Sequence, residues 1–478
     1  RKIGHGKSEA LGMNLTYPKL RTMRVALDAF SRGLDKQTDA GLIPDMACDS
    51  YNFRLSSGAL TDGFGIDELT VGGENKRITS ERPYKIYCYK RYDDLLDEYD
   101  DRLLVYTKSK KLYELRLSSG EGFTLLNKTF ATPPKAVNYK LNGVDVMIFS
   151  TETGLTVYDG ETFTDYESPS ITSMCLHAER LFITSGGEGT TLWFSENFDP
   201  TNWYVSLTKA GFIDFQDGLG KVNCVVEYGG YVYVFRDYGI TRVGGYFDQT
   251  EFFADNVDVN RDRIFSGTVA STGNFVLYLT SDGFYRFDGS GAYPVMRGLK
   301  NALSGIDNED ATAVYHDGRY YCSLKVRIGD KVERRVLCYD VTGGDFYLSK
   351  GFQVSDMVSA PFFGGMLLFA VDGFDRVGVL SDKARLFNMG LEKYWVNNVG
   401  DFGVEKPKIM SKIGLSSKGS ATVRIKSENG ERTIFVKPCD LKKTYPVGLH
   451  GVNFQIEFFS IQPLANVGSV SFELKCQV

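Results

Sequence analysis

The sequence predicts an all-β fold, a β-propeller of about seven blades followed by a small C-terminal β-sandwich, on three observations. Aromatics make up 13% of the 478 residues, and 51 Gly stand against 13 Pro, a balance that favours half-buried strands joined by tight turns over helices. The phrase "TVYDGETF" at 156–163 returns as "YRFDGSGAY" at 285–293 and "CYDVTGGDF" at 338–346, so that an aromatic and an Asp end one strand and an aromatic restarts the next. Seven pairs of apolar strands, beginning at 103, 146, 181, 231, 275, 320 and 366, are spaced by 43, 35, 50, 44, 45 and 46 residues, close to the roughly 40–50 residues of a propeller blade.

The elements follow in chain order. Residues 1–21 read as a basic arm, since Arg1, Lys2, Lys7, Lys19 and Arg21 face only Glu9. The propeller is assigned to 22–390, its strand-like runs between 22 and 75 pairing with the last blade to close the ring. The acidic "RYDDLLDEYDDR" at 91–102 reads as a solvated rim. A further strand precedes most of the seven pairs and joins them through Asn142-Gly143, Gly229-Gly230, Thr272-Gly273 or Asp317-Gly318, dipeptides suited to the left-handed positions of a hairpin turn. The repeating unit is therefore a small antiparallel meander, which buries both faces only by stacking around an axis. Its "YDG" marks the outer hairpin turn, and those Asp residues are expected to form turns. The count is six if one pair belongs to a connecting insertion, and a many-stranded sandwich is the alternative architecture. Residues 381–395 read as a linker with one helical turn, and 391–478, which alternate apolar and polar residues around Asn429-Gly430, as the sandwich.

Composition narrows the function classes. A hydrophobic content of 42% excludes a disordered chain, and a net charge of −5 gives no overall field for DNA or an acidic membrane. The eight cysteines form no CxxC pair, so they read as buried thiols made in a reducing cytoplasm rather than as zinc ligands. The longest apolar run, "MLLFAV" at 366–371, is far short of the roughly 20 residues of a membrane helix.

A family resemblance rests on three stretches. "AFSRGLDKQTDAGLIPDMACDSYNFRLSSGALTDGFG", with Asp49, Asn52, Gly58, Leu60 and Gly65, resembles the N-terminal signature of propeller-containing virion proteins of tailed bacteriophages. "LWFSENFDPTNW" at 192–203, with the strands after it, resembles their middle, and the Lys-rich start of the final sandwich resembles their end. The resemblance implies a structural part of the tail, a nozzle, hub or connector-associated ring. Its expected partners are other copies of itself, other tail or portal proteins and, transiently, viral DNA. The expected location is the virion, after synthesis in the bacterial cytoplasm.

The sequence assigns no catalytic, metal-binding or cofactor-binding residue. "GHGKS" at 4–8 lacks the leading Gly of a phosphate-binding loop. "FSENFDPTNW" is similar to a sialidase Asp-box, but Asp199 lies four residues after Ser195 and the motif occurs once. "DVNRD" at 258–262 starts like a calcium loop, but Arg263 and Val269 stand where Gly and Glu are needed. His177 and His316 fall at hairpin turns, and no Ser or Cys sits in a nucleophile elbow. The expected protein is therefore not an enzyme; the alternative is a glycan-binding or glycosidase-like propeller.

Overall fold

The computed structural model describes residues 20–26, 34, 47–56, 58–93, 97–186, 189–205, 209–246, 251–259, 262–360, 364–462 and 466–477. The basic arm before Leu20 lies outside them. The described chain is nearly all strand and propeller-like. Its helical pieces are the four-residue turn Lys300–Leu303 and the short 3-10 segments Ser266–Thr268 and Arg297–Leu299.

Seven small antiparallel sheets follow one another along the chain. Their first strands are Pro83–Tyr89, Ala136–Leu141, Ser173–His177, Val222–Tyr228, Ala270–Ser271, Thr312–His316 and Val354–Ala360. Each of the first six sheets continues through three more strands in sequence order. The seventh continues through Met366–Val371 and Val377–Ser381, takes Gly65–Glu68 as its fourth strand, with Ser381 opposite Gly65, and extends beyond it through Arg385–Leu386, parallel to Gly65–Glu68, and Met389–Gly390.

The second strand of each sheet explains why the sheets stack. Side chains alternate across a strand, and here both faces are covered. In the first sheet Leu104 and Tyr106 pack with Met147 and Phe149 of the second, while Leu103 and Val105 pack with Leu368 and Ala370 of the seventh. The same exchange runs from Ile148 to Ile183, from Phe182 to Val234, from Phe235 to Tyr278, from Leu277 to Tyr320 and from Tyr321 to Phe369. The first strands also meet in cyclic order, with Val354–Ala360 contacting Pro83–Tyr89.

The three repeated Asp residues sit where the turn reading puts them, between the third and fourth strands of their sheets. Asp159 Oδ1 accepts from the backbone N–H groups of Glu161 and Thr162, Asp288 Oδ1 from Ser290 and Gly291, and Asp340 Oδ1 from Thr342 and Gly343. A short carboxylate that bonds its own chain two and three residues on fixes the turn without outside help.

The chain ends differ from expectation. Of the N-terminal strands, Gly65–Glu68 joins the seventh sheet, but Leu20–Ala26, Ala47–Tyr51 and Ala59–Asp62 pair with strands from beyond residue 390. Leu20 and Arg21, expected in a free arm, are thus already in a strand against Val467–Gln477. The segment 381–395 contains no helical turn. Arg385–Leu386 and Met389–Gly390 form a hairpin, and Lys393–Asn397 lies between Ala47–Tyr51 and Phe454–Ser460. Its physical reason is long-range pairing: Trp395 is fully buried against Phe458, and Leu386 meets Ile66 in parallel.

Two further sheets result. One contains Leu20–Ala26, Phe53–Ser56, Ala59–Asp62, Val467–Gln477, Lys408–Ser417 and Cys439–Gly451; the other runs in the order Ala47–Tyr51, Lys393–Asn397, Phe454–Ser460, Ala421–Ser427, Gly430–Val436. Met410, Ile413 and Phe472 of the first share a core with Val423, Ile425 and Phe458 of the second. That core is continuous with the one between the fifth and sixth propeller sheets.

Candidate functional site

Each first strand ends its sheet and meets the first strands of neighbouring sheets, and among the described residues no further strand pairs with its free edge. Side chains from neighbouring first strands satisfy much of that edge. Asp356 Oδ2 accepts from Ile86 N–H at 2.9 Å, Ser173 Oγ accepts from Val225 N–H at 3.2 Å, and Asn138 donates to Cys88 O and accepts from Lys90 N–H. Buried backbone polar groups require partners, so these residues hold the tunnel wall together.

A cavity of about 500 Å³ opens where these strands meet. Lys85, Asn138, Ser173, Asp356 and Ser359 contribute polar groups, Met147, Met174 and Met357 the apolar wall, and Lys135 reaches in from just before the second sheet. Lys85 Nζ lies 3.6 Å from Asp356 Oδ1. Lys135 remains accessible to water, yet burial by the surrounding wall lowers its ammonium pKa; Lys85 adds to that shift and Asp356 opposes it.

The thiols near the tunnel are poor nucleophiles at neutral pH, because burial pushes Cys88 and Cys224 each up to about 12. His316 Nδ1 and Ser359 Oγ are 2.9 Å apart on adjacent first strands. Burial lowers the His316 pKa, so a neutral imidazole faces the hydroxyl. No carboxylate hydrogen-bonded to this imidazole is found among the described residues, so the pair lacks the group that orients the base in a nucleophilic triad. Sequence reasoning missed it because 43 positions separate the two residues.

The other motifs occupy structural positions. "FSENFDPTNW" spans the outer hairpin of the third sheet, where Asp199 Oδ1 accepts from the N–H and hydroxyl of Thr201, and Trp203 is buried with Ile148 and Leu181. His177 closes the inner hairpin of that sheet opposite Arg180, 3.9 Å from Glu227. Asp258 lies in the strand Phe253–Val259 of the fourth sheet, while residues 260 and 261 of "DVNRD" and all of "GHGKS" lie outside the described residues. Among the described residues no group of His, Cys, Asp and Glu is arranged to hold a metal, and no helix is long and apolar enough to cross a membrane.

Away from the tunnel, the two outer sheets end in adjacent edge strands, Gly430–Val436 and Cys439–Gly451. Neither has a second partner strand among the described residues. Phe435 is 76% exposed and Leu441 81% exposed, beside Lys437, Lys442 and Lys443.

The signature positions Asp49, Asn52, Leu60 and Gly65 converge on the joint between ring and outer sheets. Asn52, at a left-handed φ of 57°, donates from its backbone N–H to Leu348 O and from Nδ2 to Lys350 O and Glu392 O, and its Oδ1 accepts from Lys350 N–H. Asp49 lies 3.5 Å from the buried guanidinium of Arg335, and Leu60 is fully buried. A Cβ at Gly65 would stand 2.0 Å from Lys383 O.

Together the sheets and the tunnel define an all-β, propeller-like protein with an appended pair of sheets. No family model matches the chain, and no curated protein matches it. Among solved structures it is similar to crystal structures of BBS1N in complex with ARL6DN. The one soaked with lead has 10% identity and a TM-score of 0.42 over 64% of this chain and 92% of that one. The one soaked with mercury has 10% identity and a TM-score of 0.41 over the same shares. At these values the likeness carries no argument about function.

Proposed function

We propose that the chain is a structural component of a bacteriophage tail, a seven-bladed propeller closed by Gly65–Glu68 and fused to a two-sheet sandwich, repeated in a cyclic ring of the nozzle, hub or connector region. The propeller serves as rigid spacer and docking surface. One observation carries the reading: the outer sheets end in two adjacent edge strands, Gly430–Val436 and Cys439–Gly451, with exposed Phe435 and Leu441 among lysines. Free edges of this kind are where chains add to one another, and head-to-tail contacts close into rings. Charge supports it, since residues 401–478 hold 11 Lys and Arg against 7 Asp and Glu while 91–102 is acidic. The resemblance of the joint segment to tail proteins points the same way.

Imaging of intact particles and mass measurement of the purified chain test the proposal. The expected result is a chain repeated around the tail axis that forms a closed oligomer. A chain that is monomeric, absent from particles and tight on a glycan array would replace it with the glycan-binding alternative.

A further inference from the structure

We infer that the tunnel cavity is a binding site for a small oxyanion, a phosphate- or carboxylate-bearing ligand held by Lys135 and Lys85 with the hydroxyl of Ser173. The argument begins with charge. Lys85, Lys135 and Asp356 are the ionic residues of the lining. Asp356 is committed on both oxygens, to Ile86 N–H at 2.9 Å and to Lys85 at 3.6 Å. Lys135 Nζ has no hydrogen-bond partner among the described residues, so the cavity carries one uncompensated cation.

Position comes next. Lys135 belongs to the approach to the second sheet, yet it lines one cavity with Lys85 of the first sheet, Ser173 of the third and Asp356 of the seventh. Residues from such separate sheets share a lining only where the first strands converge. There the wall desolvates it, which weakens its hold on its proton. An ammonium that the wall desolvates on one side while water reaches it on the other favours an anion beside it. Ser173 Oγ already accepts from Val225 N–H, which leaves its own proton to donate. A cavity of about 500 Å³ falls within the ordinary range for small-ligand sites. The apolar wall of Met147, Met174 and Met357 can cover an organic body attached to the anionic group.

The test is calorimetric titration of the full chain with inorganic phosphate, and separately with acetate, beside K135M, K135R and K300M; Lys300 is exposed at the start of the helical turn Lys300–Leu303 and paired with Asp282. The expected result is saturable binding of one equivalent, weakened about tenfold or more in K135M, retained in K135R and unchanged in K300M. The stronger of the two probes identifies the anionic group. Bound anion should also slow acetylation of Lys135 in the wild-type chain, a readout independent of how K135M folds. Absence of saturable binding by either anion, or equal binding by folded K135M and wild type, overturns the inference.

Discussion

Asn52 shows how one side chain can join distant parts of a chain. Its carboxamide bonds Lys350 and Glu392, about 300 or more positions away in sequence, from a left-handed backbone that Asn tolerates better than most residues. Asn52→Ala leaves two carbonyls and an N–H without their partners and should cost roughly 2–4 kcal/mol in urea unfolding; a loss below about 0.5 kcal/mol would refute the joint role. Asp217 supplies a pH-dependent counterpart. Its hydrogen bond with the fully buried Arg236, 2.5 Å away, holds its carboxyl well below the usual carboxylate range. A carboxyl depressed in the folded state contributes stability that is present above its unfolded pKa of about 3.9 and is lost as pH falls through the lower folded value. Asp217→Asn should therefore lower stability at neutral pH, and its deficit relative to wild type should shrink below pH about 4. Parallel stability profiles for the two proteins across that window would contradict the assignment.

At the scale of elements, ring closure depends on close backbone approach. A Cβ at Gly65 would meet Lys383 O at 2.0 Å, and one at Gly378 would meet Ile66 Cγ2 at 2.2 Å, whereas one at Gly343 meets nothing nearer than 3.4 Å. Gly65→Ala and Gly378→Ala should each cost about 1–3 kcal/mol by thermal or chemical unfolding, with Gly343→Ala nearly neutral; equal effects at all three sites would count against closure through this strand. The inner hairpin of the third sheet offers a gain instead. Ala178 and exposed Glu179 both occupy left-handed φ, 48° and 58°, so Glu179→Gly should stabilise by about 0.5–1 kcal/mol. What was readable from the sequence follows from locality. All seven strand pairs are hairpins whose turns lie within the repeat, and Asn142-Gly143, Gly229-Gly230 and Asp317-Gly318 take the expected left-handed pair of angles. Only Gly273 does so in the fourth dipeptide. Ala178-Glu179 gave no turn signal, because neither residue favours the conformation it adopts. Residues 381–395 read as a linker because the partners of Leu386 and Tyr394, which are Ile66, Tyr51 and Phe459, are more than sixty residues away and leave no local period.

Across the whole molecule, the same non-locality governs the candidate site. Lys85, Ser173 and Asp356 come from three different sheets and Lys135 from the segment just before a fourth, so no spacing in the sequence announces them; only the cyclic packing of the sheets brings them together. The outer sheets are likewise assembled from both chain ends. Because their core continues into that between the fifth and sixth sheets, a chain ending at residue 390 would expose Leu55, Leu348 and their neighbours. Assembly, in contrast, is assigned to groups that contribute little to the fold. Phe435 and Leu441 are 76% and 81% exposed, so replacing both by Glu removes little buried area and should change unfolding by no more than about 0.5 kcal/mol. The same change places negative charge on an edge flanked by Lys437, Lys442 and Lys443, and opposes addition of an acidic partner surface. The double variant should therefore unfold at the wild-type midpoint while forming fewer closed oligomers by mass measurement. Wild-type assembly by a folded F435E/L441E chain would remove these edge strands from the interface and return the contact to another surface.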